Sequence, residues 1–206
     1  MEDFKLTNEQ LDALKEIGTV GGGSAATALS QLLNKRVTIE VPRVQLLNSE
    51  ELSAFQFNIK PDDLTIAVML NILGAFRGGI LVLFSQSSAL QMIDILMQRE
   101  MGNTAFINVM ELSAISESAH ILCASYLNAV GEFLDYHQLI PSLPKTVIDR
   151  LDHMDKNMIN KFMGNEAHYL LPIENKLLIE DIRLNLYVVF FLEHASVRQI
   201  LTSLGI

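Results

Sequence analysis

The 206 residues include one cysteine, Cys123, and no Cys-x-x-Cys pair. A single thiol cannot close an intramolecular disulfide, so stability must come from a hydrophobic core, as in a reducing compartment. Metal ligation is equally thin: His137, His153, His168 and His194 show no paired ligand spacing, and no cofactor or structural metal of the chain's own is expected. Positive charge is scarce. Lys and Arg number 15 against 24 acidic residues, for a formal charge of −9, and no basic cluster suited to neutralising phosphates is present. That argues against a nucleic-acid binder and favours a partner with a basic surface. The start, Met1 to Lys5, has neither the basic opening nor the apolar run of a secretory signal. The one candidate for a membrane span, residues 66–84, is interrupted by Asn71, Arg77, Gly78 and Gly79 and reads as two strands. A cytoplasmic location with no membrane span is the expectation.

Half of the residues are hydrophobic and 19% are charged, too apolar for a disordered chain and too charged for a membrane protein of this length. Thr7 or Asn8 can cap a helix whose apolar positions Leu11, Leu14, Ile17, Val20, Ala25, Ala28, Leu29 and Leu32 recur at helical spacing. The pattern predicts a long helix over residues 8–34, with a break at its glycines left open. Segments 37–47, 64–72 and 76–84 are rich in β-branched residues and read as strands, the last two joined by a turn at Gly74. Ser85 to Ser88 offers caps for a helix over 89–97. A polar link at 99–103 follows. The order then restarts, with a helix over 108–136, strands at 169–179 and 183–192, and a closing helix from Ala195. The insertion 141–165, with prolines and mixed charge, is expected to be partly helical.

Self-similarity at a fixed offset is the mark of a duplication. Leu11-Asp12-Ala13-Leu14 aligns with Leu112-Ser113-Ala114-Ile115, Glu16 with Glu117, Ser24 with Ser125 and Ala28 with Ala129, all at one offset. Shared helical periodicity explains matched apolar positions but not the matched Glu and Ser. The expectation is a single domain over 1–206 made of two repeats, about 8–98 and 108–206.

Asp12, Glu16 and Thr19 fall within an arc roughly 60° wide on the first helix, opposite Leu14, Ile17 and Ala28. The second helix repeats the arrangement with Ser113, Glu117 and His120, facing away from Ile115 and Leu122. Taken alone, such rows are ordinary on a solvated helix face.

The phrases from Leu11 to Lys35 (LDALKEIGTVGGGSAATALSQLLNK) and from Glu111 to Asn128 (ELSAISESAHILCASYLN) closely resemble the paired signature helices of the CheC-like family. That family comprises the CheC, CheX and FliY phosphatases of bacterial chemotaxis. Its signature is an Asp or Ser, a Glu four residues on, an Asn three further, and a Pro some twenty residues later. Asp12, Glu16 and Pro42 match in the first copy, and Ser113 and Glu117 in the second. Thr19 and His120 stand where the family has Asn.

The resemblance implies a phosphorylated CheY-like response regulator as partner, with Glu16 and Glu117 pairing a partner lysine, Asp12 and Ser113 beside them, and Thr19 and His120 orienting water onto the aspartyl phosphate. Such hydrolysis asks the added protein for little beyond placing that water. Mg²⁺ is expected on the regulator rather than on this chain. The implied fold is α+β: two pseudo-symmetric repeats sharing a mainly antiparallel sheet, with two long helices packed on one face. A rival reading is a catalytically weak module that sequesters the regulator or adjusts a CheD-like deamidase. A flagellar-switch relative is the least favoured, because those proteins usually carry an additional C-terminal domain.

Gly18, Gly21, Gly22 and Gly23 crowd the first helix, where each costs roughly 0.8–1 kcal/mol relative to Ala. No Gly-Lys-Ser or Gly-Lys-Thr follows to make a phosphate loop. Close packing, approach by a partner or a helix break are the readings open. Cys123 and Ala124 stand at the equivalents of Gly22 and Gly23, which suggests a requirement for small size. Cys123 reads as a core residue, and Met69, Met92 and Met97 as core filling.

Overall fold

The computed structural model describes residues 7–48, 57–60, 62–136, 138–153 and 168–205. Residues 1–6, His137 and the insertion from 154 to 165 lie outside them. Helix α1 (Asn8–Leu33) begins with a capping box: Thr7 Oγ1 accepts from the Gln10 amide at 3.2 Å, and Gln10 Oε1 accepts from the Thr7 amide at 3.0 Å. It ends at Asn34 in the left-handed region, φ 49°. The helix runs unbroken through its glycines, which excludes the break that the sequence left open.

Strand β1 (Val37–Val44), the short β2 (Leu47–Asn48), and the hairpin β3 (Leu64–Leu73) and β4 (Gly78–Ser85) follow. Helix α2 (Gln86–Leu96) is capped by Ser85. Helix α3 (Val109–Phe133) opens with a second capping box, made by Asn108 and Glu111. Then come β5 (Ile140–Pro141), β6 (Lys145–Arg150), a 3₁₀ turn (Leu151–His153), the long hairpin β7 (His168–Ile179) and β8 (Ile182–Glu193), and α4 (His194–Ser203). The insertion expected to be partly helical shows, among its described residues, the 3₁₀ turn and strand β6: Thr146, Val147 and Ile148 are a β-branched run within β6, which pairs with β3 from Leu64 to Met69.

One antiparallel sheet of eight strands results, in the order β1-β7-β8-β4-β3, with β5 and β6 both on the outer edge of β3 and β2 beside β1 on β7. Read inward from either edge, the order is a strand that follows a long helix (β1 or β6), the first strand of a hairpin (β7 or β3) and its second strand (β8 or β4). The centre is the β4–β8 pair, in register from Gly78 opposite Leu192 to Phe84 opposite Leu186. Each edge strand pairs with the hairpin that belongs to the other half of the chain. Pro42, which lacks an amide hydrogen, sits where the β1–β7 register shifts between Glu40 and Arg43, on an edge strand that tolerates the missing donor.

Alternation along the central strands sends side chains to two apolar layers. Val68, Leu70, Ile80, Val82, Ile173, Val188 and Phe190 face the helices, where Leu14, Ile17, Leu29, Ile115, Leu122 and Leu127 meet them. Ala67, Met69, Leu81, Leu83, Tyr187, Val189 and Phe191 face the other way, against Ile59 and Phe57. Burying each large aliphatic side chain stabilises by roughly 1.5–3 kcal/mol, and with both faces covered β3, β4 and β8 are near-continuous apolar runs. Helices α2 and α4 add Ala89, Met92, Ile93, Val197, Ile200 and Leu201 to the helix-side layer.

Helices α1 and α3 pack against each other through Tyr126. Its ring lies on Gly21, where any Cβ would collide with it, and its hydroxyl donates to the Gly18 carbonyl at 2.6 Å. Gly22 faces β1, and a Cβ there would sit 3.3 Å from Val41 and 3.4 Å from Ile39. Close packing therefore accounts for Gly21 and Gly22. Gly23 has open space around it, and nothing in the structure explains the missing side chain.

Candidate functional site

The polar row of α1 is set by what the opposite face buries. Leu14 and Ile17 are fixed in the core, so Asp12, Glu16 and Thr19 emerge into solvent, and all three are exposed. On α3 the buried Ile115, Ala119 and Leu122 do the same for Ser113 and Glu117, which are exposed. His120 is different: its side chain is only 28% exposed, and its Nδ1 lies 3.9 Å from Glu117 Oε2, which is itself 64% exposed. That separation is too long for a hydrogen bond and close enough for a protonated ring to feel the carboxylate.

The hydroxyls of the two rows are already engaged on their own helices. Thr19 Oγ1 donates to the Lys15 carbonyl at 3.0 Å, and Ser113 Oγ donates to the Val109 carbonyl at 2.8 Å. With the proton turned back to the helix, Thr19 offers solvent only oxygen lone pairs. It can accept from a water, whereas an amide at that place would also donate.

Helix α3 is held at its start by a buried polar latch. Asp94, at the end of α2, accepts from the Gly102 amide at 2.7 Å, the Thr104 amide at 3.0 Å and the Thr104 hydroxyl at 2.6 Å. Arg99 bridges Thr104 Oγ1 at 2.9 Å and Glu111 Oε1 at 2.8 Å, and Glu111 Oε2 accepts from the Asn108 amide at 3.1 Å. Burial works against the Asp94 charge, but the Thr104 hydroxyl, the two amides and the Arg99 guanidinium outweigh it and hold its carboxyl below the usual range. The Arg99 hydrogen bond, opposed by burial, likewise lowers Glu111. The segment 99–103, read from the sequence as a polar link, is thus a structured joint that orients the helix carrying Ser113, Glu117 and His120.

Cys123 is fully buried, and burial pushes its thiol well above the ordinary value, so it supplies no thiolate nucleophile. Among the described residues no three His, Cys, Asp or Glu side chains converge as a metal site, and no helix is long and apolar enough to cross a membrane. Phe106, Val109 and Met110, at the entrance of α3, went unremarked in the sequence. They are 74%, 83% and 65% exposed. Helical spacing carried the signal, since Val109 falls on the same arc as Ser113 and His120.

Comparison with known proteins locates this architecture. The solved structure of FliY from Thermotoga maritima superposes with a TM-score of 0.81 over 97% of this chain and 98% of that one, at 22% identity, so the chain has the fold of FliY-type domains. Residues 9–46, which hold Asp12, Glu16 and Thr19, match the model of the CheC-like family. CheY-P phosphatase CheC of Bacillus subtilis (strain 168) is 34% identical over 152 residues, 70% of this chain and 68% of the relative. The flagellar motor switch phosphatase FliY of the same organism is 32% identical over 122 residues, 58% of this chain but 31% of that longer protein. The chain belongs to the CheC-like family.

Proposed function

We propose that this protein acts in chemotaxis signalling in the cytoplasm, docking on the phosphorylated form of a CheY-like response regulator and promoting hydrolysis of its aspartyl phosphate. The observation that carries the proposal is the pair of outward rows, Asp12-Glu16-Thr19 and Ser113-Glu117-His120, on a chain whose relative is a CheY-P phosphatase. Glu16 and Glu117 serve as docking carboxylates for a partner lysine, with Asp12 and Ser113 beside them. Thr19 accepts from the attacking water and turns its lone pair toward phosphorus, and His120 stands in that role on α3. The regulator brings Mg²⁺ and the charged phosphate pocket, so this chain need only place the water. The same reading takes residues 8–98 and 108–206 as two copies of one unit, supported by the palindromic strand order.

The test is dephosphorylation of the regulator encoded by the same organism. The proposal expects acceleration over the regulator's own rate, with Glu16→Ala weakening binding and Thr19→Ala lowering turnover more than affinity. No acceleration by the intact protein sinks it. A second reading, a catalytically weak module that sequesters the regulator or adjusts a CheD-like deamidase, is favoured by one feature: the Thr19 proton is committed to Lys15 and the His120 ring is half-buried. Tight capture of the phosphorylated regulator without acceleration would establish it.

A further inference from the structure

The two rows have unlike flanks. On α3, with about 100° per residue, Val109, His120, Ser113, Glu117 and Met110 follow one another around an arc of roughly 100°. The strip from Val109 to His120 is about 16 Å long at about 1.5 Å per residue. Its N-terminal end is apolar and uncovered: Val109 is 83% exposed, Met110 65% and Phe106, two residues before the cap, 74%. Their neighbours explain why they point outward. Ile107 and Leu112 turn into the core as a staple, and Glu111 turns into the Arg99 latch, leaving Val109 and Met110 the solvent side of the first turn. The equivalent end of α1 carries Asn8 and Glu9. Three large apolar side chains exposed within five residues, at the entrance of a helix that carries a polar row, mark an interaction site.

We infer that Phe106, Val109 and Met110 form an apolar anchor that seats the phosphorylated regulator on the α3 row, whereas Asn8 and Glu9 in the first turn of α1 offer no such apolar side chains. The inference rests on the proposed function and names the surface chemistry of that partner: an apolar patch bordered by a lysine, set against Val109, Met110 and Phe106 on one side and Glu117 on the other. Continuity decides for this occupant, because Val109, Met110 and Glu117 lie on one strip of α3 and Phe106 stands two residues before its cap. Size agrees. Three side chains at a helix end bury on the order of a few hundred Å², too little for a stable dimer of this chain, which needs about 1,000 Å² or more, and suited to a partner that must leave after each turnover. Apolar anchors of this kind carry a large share of the affinity of a small interface, while exposed charge pairs chiefly steer. The α3 row is accordingly the tighter seat.

The experiment measures binding of the same organism's CheY-like regulator, loaded with Mg²⁺ and beryllofluoride as a stable mimic of the acyl phosphate. Wild type, Val109→Asp/Met110→Asp, Phe106→Ser and the α1 counterpart Asn8→Ala/Glu9→Ala are compared, with melting temperature and sedimentation run in parallel. The expected result is affinity at least ~10-fold weaker for both α3 variants, within ~2-fold of wild type for the α1 variant, and unchanged melting for all. Affinity unaffected by both α3 variants, while wild type binds, overturns the anchor. So does conversion of a self-associating protein to monomers with regulator binding intact, which would make a second copy the occupant. Failure of wild type to bind the loaded regulator instead overturns the proposed function itself.

Discussion

Gly21 and Gly23 are two residues apart in α1, and opposite outcomes are expected when each becomes alanine. A Cβ at Gly21 enters the ring of Tyr126, which is fixed by its hydrogen bond to Gly18 and by the Phe190 ring 5.5 Å away. Overpacking there should cost about 1–3 kcal/mol. A Cβ at Gly23 meets nothing, so Gly23→Ala should stabilise by about 0.5–1 kcal/mol through helix propensity. Urea denaturation of the two variants reads both signs, and a neutral Gly21→Ala would contradict the packing described for Tyr126. The same resolution applies to Thr19. Because its proton is committed to the Lys15 carbonyl, Thr19→Asn restores a group that both donates and accepts toward a water. Turnover of the phosphorylated regulator should rise by ~10-fold or more, and a fall would show that the chain uses a hydroxyl by preference.

Elements are positioned by contacts that their own sequences only partly announce. The latch at the α2–α3 joint is an instance: Asp94, Arg99, Thr104 and Glu111 look like ordinary polar residues around a link, and only the fold closes them into one network. Both carboxyls sit below their ordinary values in the folded protein, so their contribution is complete above the unfolded pKa values, about 3.9 and 4.3, and is lost as pH falls through the folded ones. The melting temperature should therefore drop as pH is lowered below about 4, and Asp94→Asn should flatten that slope while lowering the midpoint at pH 7 by about 5 °C. An unchanged slope would mean that other carboxylates carry the acid transition. Helices α1 and α3 and the four long hairpin strands were legible in advance, because a full apolar face repeats along each and the caps Thr7 and Ser85 are local. Strand β6 was not. Six residues directly after Pro141 and Pro144, with Lys145, Asp149 and Arg150 exposed or half-exposed, carry little periodic signal, and their pairing with β3 is set by a strand some eighty positions earlier. The polar rows were readable from helical spacing, whereas the commitment of the Thr19 proton and the half-burial of His120 depend on side-chain placement that spacing does not encode.

At the scale of the molecule, the exchanged edge strands bind the two halves into one unit. Strand β1 pairs with β7 and β6 with β3, so a fragment ending near residue 104 would keep β1 without its partner and leave the inner faces of β3 and β4 uncovered. Such a fragment should not fold, and the full chain should unfold in one transition seen alike by circular dichroism and tyrosine fluorescence. One continuous sheet carrying two outward rows also gives the kinetics a definite form. If the rows engage separate regulator molecules, the turnover of wild type at saturation equals the sum of the turnovers of Thr19→Ala, which leaves α3 working, and His120→Ala, which leaves α1 working. If both rows grip one regulator, either substitution alone removes most of the activity and the double variant adds little, since the residues then act as a unit. The unlike groups at the water-placing position, an exposed Thr19 and a half-buried His120, favour separate and unequal sites. The expected outcome is therefore additive rates, with Thr19→Ala costing more turnover than His120→Ala and Glu117→Ala costing more affinity than Glu16→Ala.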